Sequence, residues 1–357
     1  MKVLTIVGAR PQFIKAAIVS KKIKEDSQNI DEIILHTGQH YDENMSDVFF
    51  KQMEIPRPTY NLQIGNLSHG AMTGRMLESI EGILKKERPR FVMVYGDTNS
   101  TLAGSLAASK LHIPVIHIEA GLRSFNMKMP EEINRIVTDQ VSTTLFCPTD
   151  QAVINLKNEG FEKKNWINII KNGDVMFDAA MYFGQFALAP LFNVPEKFIL
   201  VTLHRAENTD DKERMEEIIL ALNKLNKEIP VIVPLHPRTQ KLITQYKIAI
   251  EFSVCEPLGY LQMLYMLKNA SLVITDSGGL QKEAYFFNNP CITIRDETEW
   301  IELVEGGYNV LSNASEADIY ESYQLMKEKS FDSSEDCFYG KGQASSKIVD
   351  YLKENIN

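Results

Sequence analysis

Short apolar runs alternate with longer amphipathic stretches along almost the whole chain. The runs are rich in Val, Ile and Leu, which is typical of strands buried on both faces of a parallel sheet. The longer stretches place apolar residues three and four positions apart, as the buried face of a helix does. We expect strands at 3–7, 33–36, 91–95, 115–118, 145–147, 198–202, 231–235, 271–275 and 291–294. This regular alternation predicts an α/β fold.

One interruption divides the pattern. A proline-rich stretch at 190–195 ends a helical segment just before a new strand begins. The chain has 357 residues, and single cores usually stop growing at about 250–300 residues. We therefore expect two Rossmann-like, doubly wound domains, residues 1–172 and 173–339, that face each other across a cleft. We expect the tail, 340–357, to pack back onto the first domain.

Composition narrows the classes of protein and partner. Hydrophobic residues make up 44% of the chain and charged residues 24%, which is typical of a soluble globular protein. No apolar run approaches the ~18 residues that would span a bilayer, and the first strand follows Met1 with no cleavable signal. A net charge of −9 disfavours nucleic acid and anionic membranes as partners. We expect a cytoplasmic protein in which local cations hold any anionic ligand.

The cysteines favour the same compartment. Cys147, Cys255, Cys291 and Cys337 are far apart and form no C-x-x-C pair. The sequence therefore predicts neither a disulfide framework nor a zinc site, and we expect no bound metal. We expect the four thiols to be reduced and mostly buried, as is usual in the cytoplasm.

A glycine turn after the strand at 271–275 is the strongest candidate for a ligand site. Ser277 is placed to cap the next helix, and Gly278 and Gly279 lack the Cβ atoms that would keep a ligand from the backbone N–H groups. These features predict a seat for an anion at the helix N-terminus. Glu283, about one turn along, is placed to accept hydrogen bonds from ribose hydroxyls. An ordinary capped turn between strand and helix is the alternative.

Polar clusters follow the strands of the first half. Because the carboxyl ends of parallel strands face one crevice, we expect the side chains that follow them to converge. The converging residues are Arg10, His40, Asp97, Glu119 and Arg123. Lys15, in the opening turns of the first helix, is expected at the same end. Alternatively, Arg10 and Lys15 form a solvated basic pair and Asp97 caps a helix.

A further helix begins near residue 130, directly after a polar loop that leads away from Glu119. Glu131 and Arg135 lie four residues apart on one face of this helix, where they either serve the crevice or form an ion pair. The residues that we expect to face the core are Ile133, Ile136 and Val137.

The second half repeats this plan with cations. Its strands end in His204-Arg205, His236-Pro-Arg238 and Arg295, close to the glycine turn. Two histidines and three arginines supply the local positive field that the acidic net charge requires, and this field suits a diphosphate. For His204, a purely structural role is the alternative.

Nine motifs occur in order from one end of the chain to the other. They are Gly8-x-Arg-Pro, Gly96-Asp-Thr, His117-Ile-Glu-Ala-Gly-Leu-Arg123, Pro130-Glu-Glu-x-Asn-Arg135, His204-Arg-x-Glu-Asn208, Glu256-Pro-Leu258, Thr275-Asp-Ser-Gly-Gly279, Arg295-Asp-x-Thr-Glu299 and Tyr339-Gly. With them the chain resembles the non-hydrolysing UDP-N-acetylglucosamine 2-epimerases, cytoplasmic bacterial and archaeal enzymes with a fold like that of GT-B glycosyltransferases. Members of this family usually form homodimers, whereas the sequence leaves the oligomeric state open.

The resemblance implies a reaction at carbon 2 of a UDP-2-acetamido sugar. A base removes the C2 proton as UDP leaves C1, and UDP adds back to the resulting 2-acetamidoglucal after protonation on the opposite face. No metal or redox cofactor is required. The implied catalytic residues are Asp97, Glu119, Glu131 and His204. The expected substrate-binding residues are Arg10, Lys15, His40, Arg123, Arg135, His236, Arg238, Ser277, Gly278, Gly279, Glu283 and Arg295.

Two departures from the family pattern bear on the substrate. Typical members have Thr-Glu-Arg-Pro-Glu where this chain has Thr298-Glu-Trp-Ile-Glu302, and the loop before Pro130 is about two residues shorter. Both features resemble the subgroup that acts on UDP-2,3-diacetamido-2,3-dideoxyglucuronic acid, a precursor for surface polysaccharides. Gln39 and Arg75 correspond to an activator site in some members, but Ala206 replaces a common basic residue there, so allosteric control stays open.

Other functions share parts of this pattern. A glycosyltransferase would share the fold and the UDP seat, but it would need an acceptor site. A hydrolysing 2-epimerase would release UDP and free sugar irreversibly. A non-catalytic sensor of nucleotide sugars would not need the retained acids. Which UDP-sugar is the substrate, and which carboxylate takes the C2 proton, the sequence leaves open.

Overall fold

The computed structural model describes residues 1–27, 29–39, 56–332 and 337–356. The chain forms two compact units. The first comprises Met1–Tyr182 and Phe338–Asn357, and the second comprises Phe183–Cys337.

The first unit alternates strands and helices from its first residues. Its strands are β1 (Lys2–Val7), β2 (Asp31–His36), β3 (Tyr60–Asn61), β4 (Phe91–Tyr95), β5 (Val115–Ile118), β6 (Thr144–Cys147) and β7 (Asn168–Lys171). Its helices up to the division are α1 (Arg10–Asp26), α2 (His69–Glu87), α3 (Asn99–Lys110), α4 (Pro130–Val141), α5 (Asp150–Asn158) and α6 (Val175–Phe183). A 3₁₀ turn covers Phe161–Lys163. The strands pair in the order β3-β2-β1-β4-β5-β6-β7, all parallel.

The second unit repeats this topology. Its strands are β8 (Ile199–Thr202), β9 (Val231–Pro234), β10 (Ser253–Cys255), β11 (Leu272–Thr275), β12 (Cys291–Ile294) and β13 (Asn309–Ser312). Its helices are α7 (Ala206–Thr209), α8 (Lys212–Asn226), α9 (Pro237–Tyr246), α10 (Tyr260–Asn269), α11 (Gly278–Phe286), α12 (Ile301–Glu305) and α13 (Glu316–Met326), after a 3₁₀ turn at Gly184–Phe186. The strands pair in parallel in the order β10-β9-β8-β11-β12-β13.

The direction of winding reverses at one point in each sheet. In the first unit this point lies between β1 and β4, and in the second it lies between β8 and β11. Open α/β sheets bind ligands outside the carboxyl ends of the strands at such a switch point. The residues that follow these four strands are therefore the first to inspect for function.

Small residues bring α3 close to the sheet of the first unit. Ala103, Ala107 and Gly104 lie against it, and a Cβ atom on Gly104 would approach Ile6 Cδ1 to 2.6 Å. On the same side α2 buries Leu84, so that replacing it by Ala should cost about 2–5 kcal/mol. This packing sets the N-terminus of α3 directly beyond β4. Among the described helices, none is long and apolar enough to cross a bilayer.

The C-terminal tail forms a last helix, α14 (Ala344–Glu354), within the first unit. The Asp178 carboxylate accepts hydrogen bonds from the backbone N–H groups of Ala344 and Ser345 at the start of α14. Tyr351 Oη lies 2.7 Å from Thr144 Oγ1 on β6. Because α6 carries Asp178 and is tied to the tail in this way, the division falls at 182/183, ten residues after the predicted boundary at 172/173.

The inner face of α4 is polar, contrary to our expectation. Ile133 is 43% exposed, and Ile136 and Val137 are only partly buried. The buried residues are instead Glu132, Asn134, Arg135, Thr138 and Asp139. The apolar spacing predicted the wrong face because α4 packs against a cluster of polar groups rather than against an apolar core.

Candidate active site

A cavity of about 190 Å³ opens at the switch point of the first unit. Five side chains provide much of its polar lining: Lys15, Gln39, Asp97, Glu131 and Asn134. The first two follow β1 and β2, Asp97 follows β4, and the other two come from the first turns of α4. The fold thus brings together side chains that are more than a hundred residues apart in sequence.

Arg135 holds the Asp97 carboxylate in place. The guanidinium Nη2 donates to Asp97 Oδ2 over 2.6 Å, and Asn134 Nδ2 donates to the Asp97 carbonyl oxygen over 2.9 Å. Arg135 is buried, whereas the Asp97 side chain remains 30% exposed. A charge-assisted bond of this kind fixes orientation. The carboxylate is therefore positioned by buried groups and still accessible to a ligand.

A second ion pair lies beside the first. Lys15 on α1 pairs with the Glu119 carboxylate just after β5, and the two side chains are only 8% and 11% exposed. Glu119 adopts a left-handed backbone with φ of 72°, which costs of order 1–3 kcal/mol for a residue other than glycine. Such strain is characteristic of functional positions.

The predicted convergence in the first unit is thus visible for most of the named residues. Lys15, Asp97 and Glu131 line one cavity, and Glu119 and Arg135 are paired to two of them. Arg10 is half-buried at the start of α1, at the same end of the sheet. His40 lies outside the described residues.

Arg123 takes a different position from the one we expected. It is buried and donates to Asp139 over 2.7 Å and to Glu159 over 2.6 Å. Its guanidinium is therefore committed to protein carboxylates rather than to the cavity. Residues 120–123 are all buried, so Arg123 lies in the interior of the unit and not in the lining of the cavity.

His117 and Asp139 join this buried network, and sequence patterns did not single them out. His117 donates from Nε2 to the Gly96 carbonyl oxygen over 2.8 Å, and Nδ1 lies 2.7 Å from Asp139 Oδ1. Burial by itself would raise the pKa of Asp139, but His117 and Arg123 more than offset it and lower the pKa. The network supports the turn that carries Asp97. The only sequence signal was the position of His117 inside the motif that contains Glu119.

The glycine turn of the second unit begins α11 as predicted, but without the predicted cap. Ser277 occupies the N-cap position, yet within residues 56–332 its side chain accepts no hydrogen bond from the helix. Its own backbone N–H donates to Thr275 Oγ1 over 2.9 Å. The first N–H groups of α11 are thus not capped by Ser277, which suits an anion seat.

The two glycines of the turn differ in their surroundings. A Cβ atom on Gly278 would overlap Glu299 Oε1, whereas one on Gly279 would meet nothing within 4 Å. A side chain at position 278 would therefore have to displace the Glu299 carboxylate, which is paired with Arg295. Open space beside Gly279 is what the approach of a ligand to the backbone would need.

Four of the predicted basic side chains of the second unit each contact a protein group. Arg238 donates to Asp210 over 2.6 Å, and His236 caps α9 by accepting a hydrogen bond from the Arg238 backbone N–H over 3.3 Å. Arg295 is buried and lies 3.0 Å from Glu299. Of the two predicted histidines, His204 is the one that pairs with a buried carboxylate, that of Asp276. The His204 side chain is 53% exposed. Glu283 is buried on α11.

Trp300, one of the departures from the family pattern, makes a hydrogen bond to the backbone of the glycine turn. Its indole N–H donates to the Gly278 carbonyl oxygen over 2.9 Å. The Lys282 ammonium lies 4.0 Å from the centre of its ring, within the range of a cation–π contact. Lys282 itself was not predicted. Trp300 therefore contacts the glycine turn directly.

Comparison with known proteins decides the family. Residues 21–353 match the model of the UDP-N-acetylglucosamine 2-epimerase family. The chain belongs to this family. It is 57% identical over 354 residues, 99% of each chain, to the UDP-2,3-diacetamido-2,3-dideoxy-D-glucuronate 2-epimerase of Pseudomonas aeruginosa. It is 41% identical over 368 residues, again 99% of each chain, to the UDP-N-acetylglucosamine 2-epimerase of Methanocaldococcus jannaschii.

Solved structures of epimerases agree with the fold. The M. jannaschii UDP-N-acetylglucosamine 2-epimerase in complex with UDP-N-acetylglucosamine and UDP superposes with a TM-score of 0.89 at 40% identity, over 99% of this chain and all of that one. The Neisseria meningitidis epimerase bound to UDP-N-acetylglucosamine gives 0.87 at 32% identity, with the same coverage. The predicted GT-B-like class, with two parallel-sheet domains, is confirmed, and so is the predicted isomerase family.

Proposed function

We propose that this protein is the 2-epimerase of UDP-2,3-diacetamido-2,3-dideoxyglucuronic acid, with UDP-N-acetylglucosamine as the alternative substrate. The observation that carries the choice is the 57% identity, over 99% of both chains, to a relative named for the diacetamido uronate. The relative named for UDP-N-acetylglucosamine is 41% identical. The replacement by Trp300 behind the glycine turn also supports the uronate subgroup.

The acids of the first unit suit the chemistry at C1 and C2. One carboxylate takes the C2 proton, the bond from C1 to the UDP oxygen breaks, and the electron pair of the C2–H bond forms the C1=C2 double bond. Protonation of C2 on the opposite face and return of UDP to C1 complete the inversion. Asp97, Glu119 and Glu131 are the proposed acids and bases. Lys15 pairs with Glu119 and Arg135 pairs with Asp97, so these cations hold two of the three carboxylates.

The second unit is proposed to hold UDP. The N-terminus of α11, with Ser277, Gly278 and Gly279, would receive the diphosphate. Glu283 would accept hydrogen bonds from the ribose hydroxyls. His204 would serve the diphosphate end of the sugar as a catalytic group. His236, Arg238 and Arg295 would contribute positive field, although each already contacts a protein group.

Proton NMR in deuterated water tests this proposal directly. Each candidate UDP-sugar is incubated with the enzyme in a separate sample. We expect deuterium at C2 and a reversible mixture of two C2 epimers with the diacetamido uronate, and slower or no exchange with UDP-N-acetylglucosamine. The reverse ranking would overturn the substrate choice. Free UDP accumulating with free sugar would indicate hydrolysis, and unchanged substrates would overturn the epimerase proposal.

A matched pair of variants shows whether the exchange comes from this site. Asp97→Asn removes the charge of the cavity carboxylate. Asp350→Asn removes an exposed carboxylate on α14. We expect the first variant to lose the C2 exchange and the second to retain it; equal retention would exclude Asp97 from the chemistry.

We further propose a homodimer in the cytoplasm. The cytoplasmic assignment is supported by four free cysteines, which fit a reducing compartment. The homodimer is supported by the resemblance to a family whose members usually form homodimers. Light scattering coupled to gel filtration tests it: a mass near twice 40.6 kDa is expected, and a single-chain mass would contradict the proposal.

A further inference from the structure

Asp276 is a fully buried carboxylate at the switch point of the second unit. It follows β11 directly and is 0% exposed. Its Oδ2 accepts hydrogen bonds from the backbone N–H groups of His204 and Arg205, each over 2.9 Å. Asp276 therefore ties the end of β11 to the loop that follows the neighbouring strand β8.

The second carboxylate oxygen faces the ring of His204. The distance from Asp276 Oδ1 to His204 Nδ1 is 3.0 Å. With the proton of a neutral ring on Nδ1, the other nitrogen, Nε2, is left as the acceptor. The ring is half exposed while the carboxylate beneath it is buried. This is the arrangement in which a carboxylate sets the tautomer and orientation of a functional histidine.

The carboxylate is suited to this role electrostatically. Burial alone would raise the pKa of Asp276, but the contacts with the His204 ring and with two backbone N–H groups outweigh burial and lower the pKa. The carboxylate is therefore charged at neutral pH. Nearby charged groups of the unit are paired elsewhere: Asp210 with Arg238 at 2.6 Å, and Asp296 with Arg214 at 3.5 Å.

We propose that Asp276 is a positioning residue that orients His204, so that Nε2 is presented to the UDP-sugar. The proposal rests on the proposed function for the identity of the ligand. When Nε2 takes up a proton, the buried carboxylate stabilises the resulting imidazolium. When Nε2 gives the proton back, the ring returns to the same tautomer and the same orientation. Asp276 itself touches no substrate.

The loop has a second anchor, so that the charge can be changed with little change of fold. Asn208 Nδ2 donates to the Ile294 carbonyl oxygen over 3.1 Å. In Asp276→Asn, the amide oxygen can still accept from the two backbone N–H groups. Its NH₂ group then faces His204 Nδ1 and donates to it. The ring is thereby forced into the opposite tautomer, with the proton on Nε2.

The first experiment is a double-mutant cycle with Asp276→Asn, His204→Gln and the double variant. For Asp276→Asn we expect kcat to fall on the order of 10- to 100-fold with a smaller change in KM. The double variant should be no slower than His204→Gln alone. Glu305→Gln, an exposed carboxylate at the end of α12, is the matched control.

Two outcomes would overturn the proposal. Independent, multiplicative losses in the double variant would mean that Asp276 acts without His204. A wild-type kcat in Asp276→Asn would mean that the carboxylate is not needed for orientation.

The second experiment needs no turnover, and it uses a variant only to assign the signals. Nitrogen-15 NMR of the histidine rings in the wild-type protein reports which nitrogen carries the proton at high pH. We expect Nδ1 for His204, assigned by the loss of its signals in His204→Gln; a proton on Nε2 would overturn the proposal. This result stands even where no UDP-sugar is turned over, so a failure of the proposed function is distinguishable from a failure of the pair.

Discussion

The two units share one topology and use the carboxylate at the switch point in opposite ways. In each unit an aspartate follows the second of the two strands at the switch point. Asp97 follows β4, and Asp276 follows β11. Asp97 is partly exposed beside a cavity and is held by the side chain of Arg135. Asp276 is fully buried and is held by backbone N–H groups. The same strand end thus presents an accessible carboxylate beside a cavity in one unit and organises a loop in the other.

Under the proposed function, this difference assigns the chemistry to the first unit and the binding of UDP to the second. In the first unit, charged side chains are paired around a cavity, which suits proton transfer at carbon. In the second unit, backbone N–H groups at the start of α11 and a glycine turn suit the recognition of a diphosphate. Fold alone does not distinguish the two, because both sheets have the same winding.

The largest expected effect comes from the exposed aspartate. Asp97→Asn should lower kcat by about 10²–10⁴-fold, the usual contribution of a positioned acid or base. Affinity for UDP should change little, because the proposed seat for UDP is in the other unit. Kinetics and calorimetry with UDP measure the two quantities. A large loss of UDP affinity with unchanged kcat would contradict the proposal that Asp97 takes part in the chemistry and that UDP binds to the other unit.

The next effect is on stability. Asp139→Asn should lower the free energy of unfolding by about 3–5 kcal/mol, because it breaks a buried cluster with Arg123 and His117. Urea unfolding at pH 7 measures this, with Asp350→Asn as the exposed control. A loss below 1 kcal/mol would show that the cluster does not support the unit.

The effect of Asp139 should also depend on pH in a defined direction. The folded protein lowers the pKa of Asp139 below its usual value near 3.9, so its contribution is fully present above about pH 4. It is lost as the pH falls through the lower folded-state pKa. The gap in stability between wild type and Asp139→Asn should therefore shrink below pH 4. A gap that widens there would contradict the assignment.

A smaller effect compares the two glycines. Gly278→Ala should lower the free energy of unfolding by about 1–3 kcal/mol, because the new Cβ atom overlaps Glu299. Gly279→Ala should leave stability nearly unchanged, because the space beside it is open. Both variants should bind UDP more weakly if the diphosphate lies on this turn. Thermal unfolding with and without UDP separates packing from binding; unchanged UDP affinity in Gly279→Ala would place the ligand elsewhere.

The smallest effect concerns the tail. Tyr351→Phe removes one hydrogen bond to Thr144 and should lower stability by about 0.5–1.5 kcal/mol. Tyr320→Phe removes an exposed bond to Glu228 in the other unit and serves as the control. Urea unfolding followed by amide exchange should show the first change in β6 and α14 and the second in α13. Changes in the reverse pattern would contradict the assignment of the tail to the first unit.

The central strands could be predicted from sequence and the edge strands could not. β4 is a buried apolar run, and it coincides with the predicted 91–95. The four missed strands are short or carry polar and partly exposed residues: β3, β7, β10 and β13. Such segments become strands through pairing with a neighbour, which local pattern does not contain.

The candidate site shows the same limit. The rule that parallel strands end at one edge brought together Asp97, which lines the cavity, and Glu119, which pairs with Lys15 of the same lining. It also included Arg123, which the structure buries against Asp139 and Glu159. Strand ends predict which residues come near an edge, but the direction of each loop after the strand depends on what it packs against.

By itself, the sequence determined the class of fold, the family and the order of its motifs, because hydrophobic period and motif spacing are local properties of the chain. Only the tertiary structure decided which charges are paired, buried or exposed. Asp97 and Asp276 follow similar strands, yet one meets a guanidinium beside a cavity and the other meets backbone N–H groups in the interior. Burial and partner set the ionisation and orientation of a side chain, and both arise from residues that are distant in sequence.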